Sequence, residues 1–209
     1  MKVLWKNTCF LYLVAAGALR FFGGYSLGFL SGNFFEKRYP DNANQFAYMN
    51  AVVVIGGGLP ASMLGGYLSD RFESRYGSVK GLIAGLGALA AVPFIFIAYA
   101  LQPGFWWSIL SYYVAYFVAE MWYGPSHAQI NNMFPSEYQG FAVAAFNLSG
   151  AIAGTIATLS MGALRTKYNV DGEDEHNAEI NGYILTAFVL FSYLSCGPLF
   201  IISGLKYSA

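Results

Sequence analysis

Two charged residues, Arg20 and Glu120, lie deep inside apolar stretches of the 209-residue sequence. A lone charge at the centre of a bilayer costs at least about 2.5 kcal/mol, and such residues mark ion paths and binding sites. Each lies roughly a dozen residues into a stretch long enough to span a membrane, and the two stretches run in opposite directions. We therefore predict an ion pair near mid-membrane, facing the interior. The alternative is two separate structural charges, each satisfied by backbone or water.

The stretch that holds Glu120 also carries Tyr113, Tyr116, Tyr123 and His127. Steps of three and four residues place all five on one face of a helix. Such a stripe indicates a face that lines a water-filled cavity, whereas a belt of interfacial tyrosines would explain only Tyr113 and His127. Because Glu120 and His127 both carry titratable groups, a proton relay along this face is a further hypothesis.

The composition shows which elements must position these residues. The chain is 56% hydrophobic and 11% charged, with a mean hydropathy of +0.46, whereas soluble domains carry about 25% charged residues. Apolar runs of about 20 residues or more span a bilayer as helices. We predict an all-α membrane protein with one six-helix bundle over residues 1–209, and spans at about 8–32, 46–68, 79–101, 106–131, 140–164 and 181–205.

Six spans place both termini on one side of the membrane. That side holds Lys2, Lys6, Arg71, Arg75, Lys80 and Lys206, and the other holds Lys37, Arg38, Arg165 and Lys167. The excess of basic residues predicts termini in the cytoplasm, or on the matrix side of an organelle. The acidic run at 171–175 agrees, since it falls in an outer loop.

No arrangement of residues typical of an enzyme is present in the sequence. The two histidines, His127 and His176, fall on opposite sides of the membrane, and Cys9 and Cys196 lack the spacing of a metal site. There is no basic run suited to nucleic acid. We expect no catalytic residue, metal, cofactor or nucleic-acid partner.

The second and fifth spans are rich in small residues. The second contains the triplet around Gly57, and the fifth contains the GxxxG step from Gly150 to Gly154. Small residues let helix backbones approach closely in lipid. Two interpretations remain open, namely ordinary packing within one bundle, or a seam against a second bundle.

The stretch that begins at Gly66 resembles the signature loop of the major facilitator superfamily, G-x-L-(A/S)-D-R-x-G-R-(R/K). The matching residues are Gly66, Leu68, Asp70, Arg71 and Arg75, and the departures are Glu73 for the second glycine and Ser74 for the next arginine. Residues 119–135 are similar to the tenth helix of proton-coupled and Spinster-like members, and residues 18–29 to a seventh helix. The chain thus looks like the C-terminal six-helix half, over residues 8–205.

This resemblance implies a 3+3 inverted repeat that forms one half of a facilitator fold. The first and fourth helices would line the central cavity, with Arg20, Glu120, Tyr116, Tyr123 and His127 on the path of substrate or protons. The second and fifth would form the seam between halves, at Gly57, Gly150 and Gly154. In the signature loop, Gly66 would allow close helix approach, Asp70 would meet a neighbouring helix N-terminus, and Arg71 and Arg75 would hold the gate closed.

A complete facilitator has twelve spans, so we expect partners beyond the lipid bilayer and a small solute. The chain could pair with a second six-helix half, with its own copy, or with a larger membrane complex, or be a fragment. The first hypothesis is half of a secondary-active transporter that moves a small organic solute by alternating access, with or without proton coupling. The alternatives are a non-transporting structural subunit and a lipid transporter on the same fold.

Overall fold

The computed structural model describes residues 2–168, 170 and 175–208, and these are helical almost throughout, with no strand among them. Five helices are long and apolar enough to cross a membrane: Thr8–Arg38, Pro40–Glu73, Val79–Leu101, Ser136–Lys167 and His176–Ser208. The predicted all-α membrane class is confirmed. Most of the acidic run at 171–175 lies outside the described residues.

The α-helices have the following bounds: α1 Lys2–Lys6, α2 Thr8–Arg38, α3 Ala43–Ala51, α4 Leu59–Glu73, α5 Val79–Phe96, α6 Phe105–Glu120, α7 Tyr123–Met133, α8 Ser136–Lys167 and α9 Glu175–Ser208. A 3₁₀ turn, Pro40–Asn42, precedes α3, and π-helical segments lie at Val52–Gly58 and Ile97–Leu101.

The second predicted span contains a seven-residue π-helical segment, Val52–Gly58, between α3 and α4. Pro60 follows it at the start of α4 and has no N–H to donate to the carbonyl of Gly56, four residues earlier. The Tyr113 hydroxyl donates to that carbonyl instead, at 3.4 Å. The irregular backbone of this span is thus tied to α6.

The fourth predicted span, at about 106–131, is not one continuous helix. It divides into α6, which ends at Glu120, and α7, which begins at Tyr123. Pro125 explains the break, because it lacks an N–H and its ring clashes with the carbonyl of Met121 in a regular helix. That carbonyl packs against Gly65 of α4, where a Cβ would collide with it.

Two helical units stand at the centre of one face of the bundle, namely α2 and the broken pair α6–α7. Helix α8 packs along α2, and residues 52–73 pack along α6 and α7. Helices α5 and α9 close the bundle behind them: α9 packs on α2 and α5, and α5 packs on α6. The front face therefore runs in the order α8, α2, α6–α7, α4.

The break between α6 and α7 is held in place by Trp122, which is buried. Its ring contacts Phe21 of α2 at a centroid distance of 5.1 Å, Phe200 of α9 at 5.7 Å and Phe146 of α8 at 6.0 Å. Aromatic side chains bury large areas and pack with defined edge and face geometry. One residue of the break thus fixes its position against three helices.

Candidate functional site

Arg20 and Glu120 are in direct contact. Nη2 of Arg20 donates to Oε1 of Glu120 at 2.7 Å, and Nε donates to the carbonyl of Ala119 at 3.4 Å. Arg20 comes from the middle of α2 and Glu120 is the last residue of α6. The pair therefore joins the two central helical units at the point where the second one breaks.

Arg20 and Glu120 differ in solvent exposure. The Arg20 side chain is 2% exposed and that of Glu120 is 21% exposed. The guanidinium carbon of Arg20 lies 4.7 Å from the ring centre of Tyr193 and 5.6 Å from that of Trp122, a distance at which a cation is attracted to an aromatic face. The charge that the front face presents is thus the carboxylate, and the arginine lies behind it.

A cavity of about 510 Å³, which we call the α2 groove, opens beside this pair. It is lined by Arg20, Phe21, Gly24, Tyr25, Gly28, Phe29, Tyr116, Glu120, Trp122, Tyr123 and Thr158. A second cavity of about 450 Å³, the α4 groove, lies on the other side of Glu120 and is lined by Val54, Ile55, Gly58, Leu59, Ser62, Tyr116, Glu120 and Tyr123.

Three of the predicted path residues lie between the two grooves. Tyr116, Glu120 and Tyr123 line both, although a helix break separates the last two. His127 lies one turn further on: its Nδ1 is 3.0 Å from the carbonyl oxygen of Tyr123, and the two rings lie 4.2 Å apart. His127 lines neither groove, because its ring packs between Tyr123 and Phe146.

The charged residues matched to the signature loop make only local contacts. Asp70, Arg71 and Arg75 are exposed. Nη1 of Arg71 donates to the hydroxyl of Tyr67 at 2.9 Å, and Arg75 lies 5.5 Å from the ring centre of Tyr76. Asp70 has no hydrogen bond or ion pair with any residue that the structure describes. Within the described residues, Asp70 therefore meets no helix N-terminus and neither arginine bridges two helices; the helix contact of Asp70 and the gate stay predictions.

Glu73, a departure from the signature, holds this end of the bundle instead. It pairs with the buried amine of Lys80 on α5, and its Oε1 accepts from the hydroxyl of Tyr207 on α9 at 3.0 Å and from Asn132 on α7 at 3.5 Å. Sequence reasoning missed this cluster. The only local signal was an acid seven residues before a lysine, which by itself predicts no pairing.

The glycines predicted at the seam lie inside the bundle. Gly57 faces Tyr113 and Tyr116 of α6, Gly150 packs on Phe21 of α2, and Gly154 packs on Tyr25 of α2. All three are buried against residues of the same bundle, as packing within one bundle predicts; the seam against a second bundle stays a prediction. A Cβ at Gly150 or Gly154 would collide with an aromatic ring.

Close approach in the signature loop belongs to Gly65 rather than to Gly66. A Cβ on Gly65 would run into the backbone carbonyl of Met121, whereas one on Gly66 would meet nothing within 4 Å. Gly66 takes part only as a neighbour, since a Cβ on Gly124 would lie 3.2 Å from its Cα. Within the residues that the structure describes, no group of His, Cys, Asp or Glu could hold a metal ion.

Two solved structures share the fold of this chain. The first is a bacterial homologue of the human lysosomal transporter Spinster in an inward-facing and unoccupied conformation. It has a TM-score of 0.60 and 17% identity, over 98% of this chain and 48% of that one. The second is a bacterial homologue of the same human transporter in an inward-facing and occupied conformation. It has a TM-score of 0.58 and 17% identity, and the match covers 95% of this chain and 48% of that one.

The chain therefore spans about half the length of these structural neighbours. No curated protein sequence matches it. The sequence profile of the Major Facilitator Superfamily matches residues 1–158, which is well over half of the chain. Together with the apolar helices, this match confirms the resemblance drawn from the signature loop. The chain is a multi-pass integral membrane protein that belongs to the Major Facilitator Superfamily.

Proposed function

We propose that the chain is one six-helix half of a secondary-active transporter that moves a small organic solute by alternating access. The observation that carries this proposal is the Arg20–Glu120 ion pair, which lies beside an open groove at a break in a membrane helix. Transporters place solute and ion sites near mid-membrane, at discontinuous helices between structural repeats. The residues that we assign to the solute or proton path are Arg20, Glu120, Tyr116 and Tyr123, with His127 behind them.

The ion pair gives the proposed cycle its switch. It is the hydrogen-bonded contact between α2 and the α6–α7 break, through Glu120 and the carbonyl of Ala119. A proton or a solute that neutralises Glu120 weakens the attraction of the carboxylate for Arg20. The link between the two central helical units at the break is then weakened, which favours their separation, and it forms again when the carboxylate is restored. Glu120 is the more exposed partner, so we assign the proton to its carboxylate. In this proposal both termini lie on the cytoplasmic or matrix side of the membrane.

The packing order supports a 3+3 repeat. Helix α2 contacts α8 and α9, which belong to the last two spans. The α6–α7 unit likewise contacts residues 52–73 and α5, which belong to the second and third spans. The first and fourth spans thus have equivalent neighbours in the two halves of the bundle. This is the relation that an internal inverted repeat requires.

A second wall is needed to close the grooves. The front face presents both cavities outward, and the neighbours that share the fold are about twice as long. We propose that a second six-helix unit covers this face, as another chain, a second copy or part of a larger membrane assembly. Alternating access then consists of the rocking of one unit against the other.

The proposal is tested in vesicles that contain the purified protein with everything that co-purifies, loaded with a pH-sensitive dye. Organic amines, carboxylates and polyols are added in turn, and solute-driven pH change is recorded. We expect at least one class to drive proton flux, and Glu120→Gln to abolish it while the protein still assembles. Glu137→Gln, which removes an exposed acid at the start of α8, is the matched control. Flux that persists in Glu120→Gln with unchanged pH dependence removes Glu120 from the mechanism.

A structural subunit is the second candidate, and one observation favours it. Arg71 and Arg75 contact Tyr67 and Tyr76 of their own segment, and neither bridges two helices within the described bundle. Purification in mild detergent separates the two functions. A subunit migrates in fixed stoichiometry with a large complex and shows no flux in vesicles, whereas a transporter half migrates with one further six-helix unit.

A further inference from the structure

We propose that the solute is an organic cation, and specifically an amphipathic amine whose ammonium group binds Glu120. This inference rests on the proposed function and names the substrate class for the same site. The geometry that points to it has three parts, which are a carboxylate with one oxygen still free, aromatic walls around that oxygen, and an apolar groove next to it.

The first part is the state of the carboxylate. Arg20 reaches Oε1 of Glu120, and no donor among the described residues binds Oε2. Since the side chain is 21% exposed, that oxygen is accessible from the grooves. An ammonium group could bind there without displacing Arg20. Hydrogen bonds between charged groups are roughly twice as strong as neutral ones, which favours an amine over an alcohol of the same shape.

The second part is the lining. Tyr116 and Tyr123 flank Glu120 in both grooves, and Tyr25, Phe29 and Trp122 line the α2 groove. Aromatic faces carry negative electrostatic potential and attract cations within about 6 Å of the ring centre. An ammonium group at Glu120 would therefore meet aromatic rings on each side.

The third part is the distribution of positive charge. Among the residues that the structure describes, Glu120 and Arg20 are the only charged ones that line the α2 groove, and Glu120 is the only one that lines the α4 groove. Arg20 is buried behind Glu120 and already contacts a carboxylate, a carbonyl and two aromatic rings. An anionic solute would thus meet the carboxylate as the more exposed charge, since Arg20 is only 2% exposed and already paired.

The α4 groove would take the apolar part of the solute. On the far side of Glu120 it presents Val54, Ile55 and Leu59 from the π-helical segment and the start of α4. All three are exposed in the structure. A hydrocarbon or ring attached to the amine would cover them, and burial of apolar area contributes roughly 25 cal/mol per Å².

Tryptophan fluorescence provides a direct test, because Trp122 lines the α2 groove. The triple substitution Trp5→Phe, Trp106→Phe and Trp107→Phe leaves Trp122 as the one tryptophan of the four in the sequence. The protein, with any partner that co-purifies, is placed in nanodiscs of uncharged lipid. Three probes with similar skeletons are titrated: 2-phenylethylamine, 2-phenylethanol and phenylacetate.

We expect the amine to bind about tenfold more tightly than the alcohol, and the acid more weakly than either. Glu120→Gln should remove the preference for the amine and leave the affinity for the alcohol unchanged. Tyr123→Leu should weaken binding of the amine about threefold or more through loss of a ring, and Tyr48→Leu, at an exposed tyrosine outside both grooves, should not.

Glu120→Gln leaves a buried arginine without its partner and could prevent folding. The double variant Arg20→Met with Glu120→Gln removes both charges and should likewise lose the amine preference. Tighter binding of phenylacetate than of the amine, an equal affinity for amine and alcohol, or no response to any probe would overturn the inference. Amine binding that depends on Glu120 without flux in vesicles would leave this inference standing and overturn the proposed transport. Flux driven by an anionic solute would overturn the inference of an organic cation and would support the proposed transport.

Discussion

The carboxylate of Glu73 receives donors from three elements that are far apart in the sequence, namely Lys80 of α5, Asn132 of α7 and Tyr207 of α9. The amine of Lys80 is buried and lies 5.4 Å from the ring centre of Tyr207. The negative charge of Glu73 therefore stabilises the buried ammonium group of Lys80. Where the facilitator signature has a glycine, this chain has an acid that ties four helices together.

We expect Glu73→Gln to lower the free energy of unfolding by about 1–3 kcal/mol. Breaking a buried pair costs about 3–5 kcal/mol, and the loss is smaller here because the Glu73 side chain is 30% exposed. Thermal unfolding in detergent measures the effect. Asp70→Asn removes a neighbouring charge that is exposed, and should change the free energy by about 0.5 kcal/mol or less. The double variant Glu73→Gln with Lys80→Met should recover part of the loss, and no recovery would contradict the charge-pair account.

At the scale of the helices, the break between α6 and α7 organises the site. Pro125 frees the carbonyl of Met121, and α4 approaches that carbonyl through Gly65. Glu120 becomes the last residue of α6, so its carboxylate lies at the end of a helix beside both grooves. Helix α4, which leads into the signature loop, thus contacts the break beside the site through Gly65.

Two adjacent glycines should respond in opposite ways to the same substitution. Gly65→Ala places a methyl group against the Met121 carbonyl, and we expect a loss of about 1–3 kcal/mol of stability together with a shifted α4. Gly66→Ala meets nothing within 4 Å and removes a helical glycine, so it should be neutral or stabilise by up to about 1 kcal/mol.

Thermal unfolding of both variants in detergent is the measurement, with binding of 2-phenylethylamine as a readout of the nearby site. Greater damage from Gly66→Ala than from Gly65→Ala would contradict the contact between α4 and the break. It would favour the role that the family signature gives to Gly66.

At the scale of the whole molecule, two of the five long apolar helices are less buried than the other three. In the most apolar 18-residue stretch of each long helix, 22% of the residues are buried in Pro40–Glu73 and 28% in Ser136–Lys167. The corresponding share is 39% to 44% in the other three long helices. The two less buried helices are the second and fifth predicted spans, and they flank the two grooves. Large exposed apolar surfaces indicate contact with protein or lipid, and the open grooves favour protein.

We expect a photo-reactive amino acid at Leu159, an exposed position on α8, to cross-link the chain to a protein partner in intact membranes. The same group at Leu86, exposed on α5 at the back of the bundle, should react with lipid alone. Gel mobility and mass spectrometry of the adducts measure this. An adduct of twice 22.8 kDa identifies a second copy. Reaction with lipid alone at both sites would contradict a partner on the front face.

The sequence by itself determined the all-α membrane class, the family and the two residues that form the ion pair. Each depends on a property readable along the chain, namely the length of apolar runs, the spacing of a loop motif, and the high cost of an unpaired charge in lipid. That cost leaves few arrangements for one arginine and one acid at the same depth, which is why their contact could be predicted.

The tertiary structure alone decided the details that determine how the site works. These are the break after Glu120, the burial of Arg20 behind it, the inward packing of Gly57, Gly150 and Gly154, and the cluster around Glu73. Each depends on which atoms of distant segments come within a few ångströms of one another. A glycine, a proline or an acid permits several such arrangements when read along the chain, and only the packing of the helices against one another selects one.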